Sequence, residues 1–379
     1  MEILFWAALA VTLYVYAGYP VLLWGLRLAF GRPPAKRAIE PSVSLLVAAY
    51  NEAAVVEAKI RNALALDYPA DRLEIVIASD GSTDATAEIA ERLAVESDRV
   101  HVLAHATNRG KLAVLNDAVP RLGGEIVVFS DASSMLAPDS IRRLVANFAD
   151  RAVGVVSGVY KVRQKEAAEL GGQEDLYWKY ETFLKTQEAA LGCLLGAHGS
   201  LYAIRKALYP FPSPNTINDD YVIPLRILQQ GRRAVYEPAA VAYEEAHQMG
   251  GFSRRVRIMR GNFEQLSELR TLLWPPRLRA LFFFLSHKAG RLVVPLAMLT
   301  LAFSNAWLLP APFYVWTGGA QLLFYGLVLL GGIWNLQPRI LRLPYYFCMV
   351  NAAVFVGAYH ALRGTRRMSW KRPSAVATG

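Results

Sequence analysis

The chain has 379 residues, a net charge of +10 and 54% hydrophobic residues. Its two cysteines, Cys193 and Cys348, exclude a disulfide framework, and the hydrophobic content is raised by apolar ends and says little about the middle. The basic residues gather at 27–37, 254–260 and 363–372, near long apolar runs, which points to anionic lipid headgroups rather than nucleic acid as their partner.

Ile3 to Leu26 carries no charged residue or histidine, and a bilayer core needs about 20 apolar residues per helical crossing. Glu2 stands where a signal peptide has its basic n-region, and Trp24-Gly25-Leu26-Arg27 offers no small-x-small cleavage pattern. Residues 1–28 therefore read as a retained anchor. Arg27, Arg32, Lys36 and Arg37 follow at once and predict that the next domain is cytoplasmic. Pro33, Pro34 and Pro41 stiffen a linker over 29–41.

Setting the apolar ends aside leaves about 250 residues, one large α/β domain whose pattern begins at Ser42. VSLLVAAY (Val43–Tyr50) predicts a buried strand, with a helix over Glu52–Leu66. LEIVIASD (Leu73–Asp80) predicts a second strand and Asp84–Val95 a second helix, capped by Ser82, Thr83 or Asp84. Val100–Ala104, a helix over Leu112–Val119 and EIVVFSD (Glu125–Asp131) continue the alternation, which predicts a mostly parallel sheet flanked by helices. Three strands end in polar sets: Tyr50-Asn51-Glu52, Asp80-Gly81-Ser82 and Asp131-Ala132-Ser133. In open parallel sheets ligands bind beyond the strand carboxyl ends.

Further on, three prolines (Pro210, Pro212, Pro214) stiffen the approach to Asp219-Asp220, which open an apolar helix over Val222–Leu228. RRVRIMRGN (Arg254–Asn262) places arginines on one helix face. The domain is expected to end near residue 265, followed by an interfacial amphipathic segment over 266–291. Leu292 to Gln337 is again free of charge, with room for two crossings broken at Pro310-Ala311-Pro312. Leu343–Leu362 allows another, so 292–363 reads as transmembrane helices and 364–379 as a basic tail. Three crossings would put that tail outside, against the positive-inside tendency.

The ordered set VSLLVAAYNE, ASDGSTD, Asn108-Arg109-Gly110-Lys111, Phe129-Ser130-Asp131-Ala132-Ser133, Asn218-Asp219-Asp220-Tyr221-Val222 and RRVRIMRGN resembles the membrane-bound family 2 glycosyltransferases of GT-A fold, the cellulose, hyaluronan and poly-N-acetylglucosamine synthase-like group. The resemblance covers Ser42 to Asn262. It implies a nucleotide-diphosphate sugar donor, UDP- before GDP-, in a pocket of Tyr50, Glu52, Asp80, Lys111 and Asp131, with Arg257 and Arg260 on the diphosphate. It implies Mg²⁺ or Mn²⁺ at Asp131, the first acid of a D-x-D element whose second acid is Ser133 here; His247 is a conceivable extra ligand. Asp220 becomes the general base with Asp219 beside it, and Gly196, His198 and Gly199 an acceptor wall. Arg257 and Gly261 stand where processive members have the Gln and Trp of Q-x-x-R-W, which removes a stacking platform for a growing chain.

The expected protein is thus a multi-pass enzyme of the inner or plasma membrane with its catalytic domain in the cytoplasm. It would transfer a sugar with inversion to a hydroxyl of a lipid, lipid-linked or polysaccharide acceptor. Two alternatives remain at this level: a polyprenyl-phosphate acceptor, and a non-catalytic scaffold suggested by Ser133.

Overall fold

Glu2–Phe30 forms one apolar helix (α1) interrupted by a π turn at Tyr14–Gly18. Pro20 lacks the N–H that would serve the carbonyl of Tyr16 four residues back, and that carbonyl instead accepts the Tyr180 hydroxyl at 3.1 Å. The computed structural model describes residues 1–163, 171–245, 252–268, 272–273, 277–334, 341 and 343–363. His247 and the 364–379 tail lie outside the described residues.

After the linker come β1 (Val43–Ala49), α2 (Ala53–Leu64), β2 (Leu73–Asp80), α3 (Thr86–Glu96), β3 (Val100–His105), α4 (Lys111–Ala118), β4 (Ile126–Asp131), β5 (Met135–Leu136), α5 (Ser140–Val145) and β6 (Val153–Arg163). Next are α6 (Gly171–Ala190), β7 (Tyr202–Arg205), α7 (Asp219–Gln229), β8 (Arg233–Glu245) and α8 (Phe252–Glu264). Three apolar helices close the chain: α9 (Leu278–Trp307), α10 (Pro312–Ile333) and α11 (Leu343–Leu362). Two compact units result: one of residues 32–165 and 189–248, built on the sheet, the other helical, of residues 1–31, 166–188 and 249–364.

In the sheet unit the strand order is β3-β2-β1-β4-β7-β6-β8-β5. The first four strands are parallel, as their unbroken apolar runs predicted, and all seven residues of β1 are buried. The other half is mixed: β7 runs antiparallel to β4 and β6, β6 and β8 are parallel, and β5 is antiparallel to β8. The β6–β8 register breaks between Ser157 and Val159, opposite the Pro238 region of β8. Proline cannot donate to the ladder, and a strand carrying one bulges.

Register brings the acidic strand ends to one edge. Ala48 lies opposite both Ala78 and Asp131, so β1, β2 and β4 finish level with one another. Val56, Ile60 and Ala63 of α2 pack on Leu45, Val47, Ile75 and Ile77 beneath that edge. Gly81, directly after β2, has φ of +64°, and a Cβ there would sit 2.4 Å from the backbone carbon of Thr107. Gly81→Ala should therefore destabilise the fold by about 2–4 kcal/mol. A fall in Tm of roughly 5–10 °C in a thermal melt checks it.

In the helical unit, α1, α6 and α9 are joined by a buried ionic network. Glu188 accepts hydrogen bonds from the Tyr19 hydroxyl at 2.8 Å and from His287 Nδ1 at 2.6 Å. Glu181 pairs with Arg291, and His287 Nε2 stands 3.8 Å from its other oxygen. α9 continues from Leu278 through a π turn at Phe284–Ala289 and across the 291/292 boundary, where the sequence suggested a change from interfacial to spanning segment. α8 packs on α11 through Val256, Met259, Ala353 and Val354. Gly357 permits that approach, since a Cβ there would come within 2.8 Å of the Arg260 backbone nitrogen.

Candidate active site

The loop after β1 is tied to the turn after β2. Asn51 takes a left-handed conformation, φ +55°, and its Oδ1 accepts the Thr83 N–H at 2.8 Å. The Glu52 N–H donates to Thr86 Oγ1 at 2.8 Å and the Ala53 N–H to Asp84 Oδ2 at 3.1 Å. Ser82–Asp84 were expected to cap their own helix. Asp84 does so through Thr86, and it also satisfies the start of α2 across the cleft edge. Tyr50 and Glu52 are thereby fixed at the same edge as Asp80 and Asp131.

Asp80 is fully buried, and its two oxygens accept the N–H groups of Arg109 and Gly110, each at 2.8 Å. Its carboxylate therefore faces the loop that opens α4, where Gly110 (φ +93°) makes the turn. The consequence is the aim of the next residue: Lys111 Nζ lies 2.9 Å from Asp131 Oδ1 and 3.2 Å from Asp219 Oδ2. Burial opposes the charge on Lys111, but Asp131, Asp219 and Asp220 outweigh it and raise its pKa above the ordinary lysine value.

Asp219 and Asp220 begin α7 behind Asn218, which caps it in the left-handed region, and two acids in a first turn suit the helix dipole. The 196–199 segment passes in front of them. The Ala197 N–H donates to the Asp220 carbonyl at 2.8 Å, and Gly196 lies against Tyr221. A Cβ on Gly199 would stand 3.5 Å from Asp220 Oδ2 and 3.6 Å from Asp131 Oδ2. The missing side chain thus leaves a cradle between the two carboxylates. Gly199→Ala is accommodated by the fold at those distances but fills the cradle. It should leave Tm unchanged while raising a substrate KM about tenfold (about 1.4 kcal/mol), as steady-state kinetics beside a melt would show.

His198 is buried, its ring Nε2 3.4 Å from the Tyr236 hydroxyl. Tyr202, stacked on Phe129 at 4.7 Å, is wholly buried, and its hydroxyl makes no hydrogen bond among the described residues. Burial, then Asp219 and the other carboxylates, push its pKa up. Arg257 and Arg260 belong to α8 of the helical unit, where the Arg260 Nε is 3.0 Å from Glu264 Oε1.

Two participants escaped sequence reading. Lys59 is fully buried and donates to Ser130 Oγ at 2.6 Å and to the Ser134 carbonyl. Burial pushes its pKa down to about 7, partly offset by Asp131 and Glu244. Its signal was a lysine on the Val56–Ile60–Ala63 stripe of α2, where an apolar residue belongs. Glu244 of β8 accepts the Ser133 hydroxyl at 3.1 Å and the Ser134 hydroxyl at 2.9 Å. Nothing in the local sequence marked it.

The groups at the cradle are oxygen donors, the Asp131 and Asp220 carboxylates, with Asp219 joined to Asp131 through Lys111 and the Ser133 hydroxyl two residues past Asp131. That chemistry fits a hard divalent cation such as Mg²⁺ or Mn²⁺. Among the described residues no three His, Cys, Asp or Glu side chains converge to hold an ion alone. Asp131 and Ser133 would hold it together with oxygens from a diphosphate and water.

Residues 44–209 match the family model described as glycosyl transferase family 2. They form a family 2 glycosyltransferase domain. Poly-beta-1,6-N-acetyl-D-glucosamine synthase from Staphylococcus aureus is 28% identical over 231 residues, 59% of this chain and 55% of its own. Beta-monoglucosyldiacylglycerol synthase from Nostoc is 34% identical over 200 residues, 49% of this chain and 41% of its own. The chain spans about half the length of the curated relatives it matches. The mannosyltransferase PcManGT from Pyrobaculum calidifontis, solved with GDP-Man and Mn²⁺, superposes with a TM-score of 0.72 at 25% identity, covering 96% of this chain and 100% of its own. The fold of the glycosyltransferase domain is GT-A, and the chain adds four helices, among the described residues, long and apolar enough to cross a membrane.

Proposed function

We propose that the protein is a membrane-anchored inverting glycosyltransferase that moves a sugar from a UDP- or GDP-sugar to a hydroxyl on a lipid or lipid-linked saccharide. The observation that carries this reading is the Lys111 ammonium bridging Asp131 and Asp219 beside the Gly199 cradle. In this reading the diphosphate lies against Lys111, and Asp131 with Ser133 holds the divalent cation. When bound, that cation neutralises charge on the leaving diphosphate. Asp220 takes the proton from the acceptor hydroxyl, whose oxygen attacks the anomeric carbon from the face opposite the diphosphate. The Gly199 cradle admits the reacting sugar between Asp131 and Asp220. Asp80 acts through the Arg109–Gly110 amides as the residue that aims Lys111.

The membrane reading rests on the four apolar helices among the described residues, and the basic residues that follow α1 support a cytoplasmic glycosyltransferase domain. The relatives named above, one a polysaccharide synthase and one a glycolipid synthase, support a surface polymer or glycolipid as product. The test is a panel of UDP-, GDP- and dTDP-sugars with Mn²⁺, read by thermal shift and by release of nucleotide diphosphate from purified protein. One nucleotide class should stabilise the protein and turn over, with EDTA abolishing turnover. Neither stabilisation nor turnover with any donor would favour a non-catalytic scaffold.

A further inference from the structure

We infer that Glu244 supplies, from β8, the second carboxylate that the D-x-D element lacks at Ser133, and that it does so by holding the Ser133 hydroxyl as a cation ligand. The inference rests on the reading of Asp131 as the metal-side acid.

A free serine hydroxyl is a poor substitute for an aspartate: it is neutral, and it can present its proton as readily as its lone pairs. At Ser133 that ambiguity is removed. The hydroxyl donates its proton to Glu244 Oε1 at 3.1 Å, so its lone pairs are turned away from Glu244. The same carboxylate oxygen accepts the Ser134 hydroxyl at 2.9 Å, which fixes the acid against both residues of the turn. Glu244 is buried, with 9% of its surface exposed, so its charge is poorly screened and acts on the immediate surroundings. From behind, Lys59 donates to Ser130 Oγ and the Ser134 carbonyl, and Ser130 Oγ donates to the Ser200 carbonyl at 2.7 Å. The turn after β4 is therefore held from α2, from β8 and from the segment carrying Gly199. One acid thus stands in the turn and one behind it, with the Lys59 amine also behind the turn. Carboxylates that orient a metal ligand in this way are worth 10–100-fold in metal affinity.

The test is Mn²⁺ binding to the full-length protein in detergent, followed by the loss of the free-ion EPR signal, with Mn²⁺ alone and with UDP or GDP added. Glu244→Gln should weaken Mn²⁺ binding about 10–100-fold. Ser133→Asp placed on Glu244→Gln should restore it to within about threefold, because a carboxylate then returns to the turn itself. Ser133→Asp alone should bring no gain, since it sets two carboxylates against each other. Ser133→Ala, which keeps the Ser134–Glu244 bond, should weaken binding as Glu244→Gln does and serves if the latter does not fold. If Asp131→Asn abolishes Mn²⁺ binding while Glu244→Gln and Ser133→Ala leave it intact, Glu244 is only a structural acid and the inference fails. If Asp131→Asn also leaves binding intact, the reading of the site fails, and the inference with it.

Discussion

Asp220→Asn is expected to lower the rate of transfer to an alcohol acceptor by about 10²–10⁴, the range for loss of a general base, while the donor KM stays within about threefold of native. The amide has the same shape as the carboxylate, and the bond from the Ala197 N–H to the Asp220 carbonyl is made by backbone and survives. What is lost is the group that accepts the hydroxyl proton beside the Gly199 cradle. The same variant separates two acceptor classes. A polyprenyl phosphate is already ionised and needs no base, so transfer to it should keep most of its rate. Single-turnover rates with a lipid alcohol and with a polyprenyl phosphate, measured side by side, give the answer. Alcohol transfer within tenfold of native would remove Asp220 from the role of base.

Lys111→Met should lower kcat by roughly 10²–10³, the usual cost of deleting one preorganised charge that stabilises a leaving group. Its second effect has the opposite sign. With the ammonium gone, Asp131, Asp219 and Asp220 face one another without the cation that now lies 2.9 Å from Asp131 and 3.2 Å from Asp219. The variant should therefore bind Mn²⁺ more tightly in the absence of nucleotide and gain more Tm from Mn²⁺ than native protein does. The nucleotide sugar, an anion, should bind more weakly. A Mn²⁺ and donor titration by thermal shift reads both. Unchanged donor affinity would mean that Lys111 serves only to neutralise the carboxylates.

How much of this could be read from the chain depends on how far each signal extends. β1 to β4 were legible because central parallel strands are buried on both faces and read as unbroken apolar runs. The other half of the sheet was not. β7 is four residues long, and β8 carries Pro238 inside a register break, so neither shows a strand period. The acids at the strand ends were legible as a set, but their directions were not. Asp80 accepts the amides of residues 109 and 110, partners that no local pattern announces.

Long-range partners explain the remaining differences. His287 and Arg291, in the segment expected to be interfacial, pair with Glu188 and Glu181 of α6, acids that are invisible to any local window. Arg260 is the reverse case. Its partner Glu264 is one helical turn away and was available in the sequence. Glu244 and Ser133 are brought together only by β8 returning to the sheet, so the apparent defect in the D-x-D element could not be weighed before the fold was known.

The most direct measurement is a structure of the protein with UDP or GDP and Mn²⁺ bound. The account predicts ion density against Asp131 and the Ser133 hydroxyl, the diphosphate in contact with Lys111, and the open end of the diphosphate directed at the Gly199 cradle with Asp220 beyond it. A nucleotide whose diphosphate lies elsewhere, with Lys111 still bridging Asp131 and Asp219 and no ion beside them, would contradict it.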